Sequence, residues 1–201
     1  MVSNITWLVM LAGFSGLSMN LILQFGLGLK GIAFDESIGK ERLLAGSGVL
    51  FAAVMLLWLI FLFIRSVLFL GLLEYVLLFP ASFLVFSVFE YLVNRFMLKK
   101  NAEEGALLFG DRSTGGALAG AALFMTLNVA GSPYEALVLS LGFSCSAALV
   151  MVVVGEIRRR AEMEAVPRRL RGGPLALIAL GLLSLIFASG ALMLFGVLGV
   201  Q

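Results

Sequence analysis

The chain has 201 residues, 61% of them apolar and 13% charged, with a net charge of +2 and a mean hydropathy of +1.09. A water-soluble domain carries charge on about a quarter of its residues, so this composition excludes a soluble globule. Histidine is absent and cysteine occurs once, at Cys145, which excludes a zinc, haem or iron–sulfur site built by this chain alone.

Six charge-free apolar stretches follow one another: Met1–Leu29, Leu43–Ile64, Tyr75–Phe89 (continuing past Glu90 to about Met97), Ser113–Tyr134, Ala136–Gly155 and Gly172–Gln201. Each is near or above the roughly 20 helical residues that a hydrocarbon core of about 30 Å requires. The first has no Lys or Arg before it and therefore reads as a retained span rather than a secretory signal. Asn4-Ile5-Thr6 matches a glycosylation sequon, a motif short enough to arise by chance. Gly26, Gly28 and Gly31 cluster at the end of the first span. Gly115, Gly116 and Gly120 cluster near the start of the fourth. Cys145 lies among Ser144, Ser146 and Ala147 in the fifth span and reads as a small packing residue.

Threading the six spans through a bilayer puts thirteen of the fourteen Lys and Arg residues on one side, leaving only Arg65 on the other. Short loops rich in Lys and Arg stay cytoplasmic, so the three basic loops are expected inside and both termini outside. The net charge thus reports topology and not nucleic-acid binding. The loop Arg158–Arg171 is too short to hold a core of its own. It reads as a topological anchor whose arginines also suit acidic lipid headgroups or a cytoplasmic partner subunit.

The expected fold is an all-α integral membrane protein of six transmembrane helices in a single domain, 1–201. The spans divide into residues 1–98 and 105–201, joined by the charged segment Leu98–Glu104. Three spans per half means that the second half enters from the opposite face, so two halves of like fold form an inverted repeat. The glycine clusters fall on the first helix of each half. One reading is that the first and fourth helices are broken, with bare backbone lining a site near the midplane; the other is close helix packing through small residues.

The segment IRRRAEMEAVPRRLRGGPLALIALGLLSLIFASGA, Ile157 to Ala191, resembles the last loop and helix of the Rnf/Nqr membrane-subunit family, RnfA and NqrE type. Ile157, Arg158, Arg160, Val166, Pro167, Arg171, Gly172 and Ala176-Leu177-Ile178 match without a gap. Asn20 through Gly28-Leu29, Gly46-Ser47-Gly48, Glu90, and Thr114 through Leu123 are similar to earlier family motifs. The resemblance implies a six-helix inverted repeat inside an ion-pumping electron-transfer complex, paired with an RnfE/NqrD-like membrane subunit and with further Rnf/Nqr-type subunits. In that family, cysteines from both paired subunits hold an intramembrane iron–sulfur cluster. Lys30 and Gly116 stand at the two cysteine positions here, so no cluster is expected unless a partner supplies the ligands.

Asn20, Lys30 and Glu90 are the ion-path candidates. With the family's broken first helix, Lys30 would end at depth, where an ammonium costs a few kcal/mol unless paired, and Glu90 is the candidate carboxylate. The alternative is a solvated Lys30 and a snorkelling Glu90. No catalytic residue or metal site is found, and neither a phosphate-binding glycine loop nor a nucleophile with its base is present. Three functions remain open. One is a scaffold and ion-route subunit of an Rnf/Nqr-type complex in a bacterial or archaeal cytoplasmic membrane. Another is a small secondary transporter or channel on the same fold, with Lys30 and the Gly116 backbone as its site. The third is a purely structural assembly subunit.

Overall fold

The computed structural model describes residues 4–26, 40–67, 73–96, 112–163, 167 and 173–197. Among these, all regular structure is helical: α1 (Asn4–Gly13), a π-helical segment (Phe14–Ser18), α2 (Leu21–Phe25), α3 (Lys40–Val67), α4 (Leu73–Phe96), α5 (Arg112–Val129), α6 (Pro133–Met163) and α7 (Gly173–Val197). Four segments are long and apolar enough to cross a bilayer, namely Leu44–Ser66, Leu73–Arg95, Pro133–Ala161 and Gly173–Val197. Thr6–Ser18 and Ser113–Val129 form shorter apolar helices. The chain is a multi-pass membrane protein.

The surface carries the signature of that solvent. Phe63, Val76, Leu84, Leu192 and Met193 all point outward, a continuous apolar exterior that water would not tolerate. Inside, Ala53, Ala119, Ala122 and Ala147 lie beside Leu50, Val54, Phe143 and Val150. Small residues at these contacts let helix backbones approach, which is how helices associate where lipid removes the hydrophobic drive. α3 packs on α4, α5 and α6, and α4 lies along α5.

α5 and α6 form a tight hairpin. Ser132 begins α6 with its Oγ accepting from Glu135 N at 3.4 Å, and Glu135 Oε2 reaches back to Gly131 N at 2.7 Å. With Pro133 in the first helical position, this is a near-complete capping box. It corrects the expected fourth span, Ser113–Tyr134, which ends instead at Val129. The fifth, expected over Ala136–Gly155, runs from Pro133 to Met163.

Polar groups collect at that end of the bundle. Trp7 Nε1 donates to Glu135 Oε1 at 3.1 Å, Tyr75 Oη lies 3.3 Å from Asn128 Oδ1, and Arg65 lies 3.9 Å from Glu74. Trp7 meets Glu135 and Asn20 meets Ser146, so α1 runs in the same sense as α6.

Candidate functional site

The first span is interrupted. α1 passes into the π-helical segment, closed by Met19 N donating to Phe14 O at 2.7 Å, and the helix restarts at Leu21. Asn20 sits between in an extended conformation. Its Oδ1 accepts from Ile22 N at 3.1 Å and Leu23 N at 3.2 Å, the N-cap geometry that satisfies the first free amides of a new helix. Its Nδ2 donates to Ser146 O on α6 at 3.3 Å. The α2 helix then ends at Gly26, whose φ of 64° is the left-handed closure that glycine adopts freely.

The interruption is enclosed in protein. Asn20 and Ser15 are 0% exposed, and Leu21 and Ile22 are 1% exposed. Ser146 lies about 20 Å along α6 from Pro133 at 1.5 Å per residue, well inside the hydrocarbon depth. Non-helical backbone at that depth is tolerated only where protein or a polar cavity surrounds it. Ser15 Oγ bonds back to Leu11 O at 2.9 Å. Ser146 Oγ lies 3.0 Å from Phe143 O and 3.5 Å from Ser15 O, across the contact. Gly142 permits the approach, because a β-carbon there would overlap the Ser15 side chain. α2 touches α5, α6 and α7, so the restarted helix lies among the helices of the second half.

Sequence reasoning passed over two hydroxyls. Ser140 and Ser144, one turn apart on α6, are buried, and their Oγ atoms have no hydrogen-bond partner among the described residues. At 100° per residue they point away from Gly142 and Ser146 and do not face the interruption. Serine at i and i+4 within an apolar span was the available signal. Cys145 corrects the packing expectation: it is exposed on the outer face of α6, opposite the arc formed by Leu139, Phe143, Ala147 and Val150.

The fourth helix corrects the expectation of a second break. α5 is continuous from Arg112 to Val129, and its glycines serve close packing. A β-carbon on Gly115 would overlap the Phe86 ring. One on Gly116 would overlap the Phe83 ring and come within 3.2 Å of Phe83 Cα, and one on Gly120 would lie 2.8 Å from Ser82 Oγ. Ser82 Oγ also lies 3.4 Å from Gly116 O. Gly116 therefore presents no open backbone, no side-chain ligand and no room for one, so the described residues do not fit an iron–sulfur cluster.

Glu90 is on α4 and 3% exposed. The antiparallel register of α4 and α5, marked by Tyr75 with Asn128 and Ser82 with Gly116, carries it to the level of the first turn of α5. Glu90 and Gly116 thus share the α4–α5 contact, while Asn20 belongs to the contact of the first span with α6. Lys30 lies outside the described residues. No protein-family model matches the chain, and no curated protein matches it.

Proposed function

We propose that this chain is a membrane-embedded subunit of an ion-translocating electron-transport complex of the Rnf/Nqr type, serving as scaffold and ion route. In this reading it lies in a bacterial or archaeal cytoplasmic membrane with both termini outside and the basic loops at the cytoplasmic face. The observation that carries the proposal is the interruption of the first span at Asn20, enclosed at hydrocarbon depth. A broken helix at such a place is where membrane transport proteins put polar backbone against an ion. Glu90, the buried carboxylate on α4, is the proposed proton or cation acceptor along the route.

The reading includes an inverted repeat of the two halves, and it draws on two kinds of contact. Gly13 of α1 faces Leu194 and Phe195 of α7, as Gly115 and Gly116 of α5 face Phe86 and Phe83 of α4. Each half thus sets a glycine of its first helix against the third helix of the other half, and the two second helices, α3 and α6, pack together. No electron-transfer step is assigned to this chain, since Gly116 cannot carry a thiolate and Cys145 points outward. Any cluster would require ligands from a partner.

A specific observation favours a second reading, a small secondary transporter. The buried hydroxyls of Ser140 and Ser144 lack partners among the described residues, and an unsatisfied buried hydroxyl is a ready ligand for a polar solute. Purification of the tagged protein from native membranes in mild detergent, with mass spectrometry of co-purifying chains and an absorption spectrum, separates the two. RnfE-like and flavin- or iron–sulfur-bearing subunits are expected. Isolation of a single colourless chain would overturn the complex and leave the transporter.

A further inference from the structure

We infer that the outer face of α4 is a binding site for one acidic phospholipid, with an acyl chain lying along the helix and the phosphate on Arg95. An open groove of about 830 Å³ runs along this face, lined by Pro80, Phe83, Leu84, Ser87, Val88, Tyr91 and Leu92. The residues form two adjacent i,i+4 rows, Pro80–Leu84–Val88–Leu92 and Phe83–Ser87–Tyr91, with the small Ser87 in the middle of the second. The furrow between such rows is what an extended chain can fill.

Length and charge identify the occupant. From Pro80 to Leu92 the groove covers about 18 Å at 1.5 Å per residue, against about 15 Å for one leaflet of a 30 Å core. It therefore has the depth of a single acyl layer and ends at an interface. At that end Arg95 Nη1 donates to Tyr91 Oη at 3.0 Å, with the guanidinium carbon 6.0 Å from the Tyr91 ring centroid. The ring that closes the groove thus steadies the cation above it. Tyr91 takes one of the five guanidinium donors, leaving four in the planar fork that suits a phosphate.

The same groove is poorly made for another helix. Interfaces between helices in lipid use small residues, as the opposite side of this contact does with Gly115, Gly116 and Gly120. Here the walls are Phe83, Leu84, Val88, Tyr91 and Leu92, all bulky and all exposed. A flexible hydrocarbon chain adapts to such a wall.

The experiment is native mass spectrometry of the purified full chain, titrated with dioleoyl phosphatidylglycerol or dioleoyl phosphatidylcholine. The wild-type protein is expected to retain the glycerol lipid about fivefold more strongly, the effect of one basic side chain near an anionic headgroup. Arg95→Gln, an exposed change that leaves the fold intact, is expected to remove that margin. Arg65→Gln, at the other end of the bundle, leaves it in place. Ser87→Phe, which fills the groove floor, is expected to lower retention of both lipids. The inference is overturned if Arg95→Gln keeps the wild-type preference, which would assign it to the basic loops. It is also overturned if a photo-crosslinker at Val88 captures a protein helix instead of lipid.

Discussion

Asn20→Ala tests whether the interruption of the first span is a built feature. The Asn20 side chain caps α2 through Ile22 N and Leu23 N and links to α6 through Ser146 O. Loss of an N-cap costs about 1 kcal/mol, within a range of roughly 0.5–2. Ile22 is 1% exposed, so water does not replace the lost acceptor and the upper half of that range applies. An interhelical hydrogen bond in a bilayer adds about 0.6 kcal/mol. The expected loss is thus about 2 kcal/mol for Asn20→Ala. Asn20→Ser keeps an acceptor at the cap and gives up only the link to α6, so it should lose about 0.6 kcal/mol. Unfolding in mixed micelles by titration with dodecyl sulfate, followed by the fluorescence of Trp7 and Trp58, measures both. An Asn20→Ala protein within about 0.5 kcal/mol of wild type, the usual spread of neutral surface changes, would refute the reasoning. So would a serine variant as damaged as the alanine.

Four further outcomes are expected. Gly116→Ala should destabilise by about 1–3 kcal/mol, since the new methyl meets Phe83 backbone that no rotamer change can clear, whereas Gly181→Ala, which opens onto free space, should be neutral or stabilising by up to about 1 kcal/mol; the same unfolding titration reads both. Glu90→Gln should assemble normally yet slow ion movement in reconstituted vesicles by about tenfold or more, a barrier increase of about 1.4 kcal/mol, and an unchanged rate would remove Glu90 from the route. A double-mutant cycle on Arg65 and Glu74, 3.9 Å apart with the arginine side chain 64% exposed, should return a coupling below about 1 kcal/mol. Cys145→Ala should leave stability within about 0.5 kcal/mol of wild type because the thiol faces outward; a larger loss would mean that Cys145 packs.

The apolar spans are legible in the sequence because hydrocarbon imposes a length and forbids charge: α3, α4 and α7 lie within a few residues of their stretches, whereas α6 runs eight residues past Gly155, to Met163. The fourth span ends five residues before its expected edge, at Val129 and not Tyr134. Hydropathy does not register a turn made of Ala130, Gly131 and Ser132, but the Ser132-Pro133-Tyr134-Glu135 cap signature did carry that information. The interruption of the first span was expected from Gly26, Gly28 and Gly31 and occurs earlier, at Met19–Asn20. Gly26 ends α2, and the other two glycines lie outside the described residues. The clearer signal was a lone asparagine inside an apolar run, which must either be satisfied across a helix contact or cap a new helix. Asn20 does both.

Glycine is ambiguous in a membrane helix because one property, the missing side chain, serves two ends. It frees the backbone to break, and it lets a neighbouring helix come close. What decides between them is the partner. Opposite Gly115, Gly116 and Gly120 stand Phe86, Phe83 and Phe79, a ladder at helical spacing on α4, and a ladder of rings needs a straight, smooth groove to lie against. Breaking α5 there would strip all three rings of their contact, so the helix stays whole. Opposite the first span stand Gly142 and Ser146 of α6, a small residue and a hydroxyl, which leave room for a π-helical bulge and offer an oxygen to it. Two halves with the same order of helices therefore end with unlike first helices. A functional asymmetry follows among the described residues: the first helix of the first half is interrupted, at Asn20, and that of the second half is not, so an ion route built on this fold is expected to use the backbone at Asn20, with Glu90 as its carboxylate, and not the backbone of Gly116.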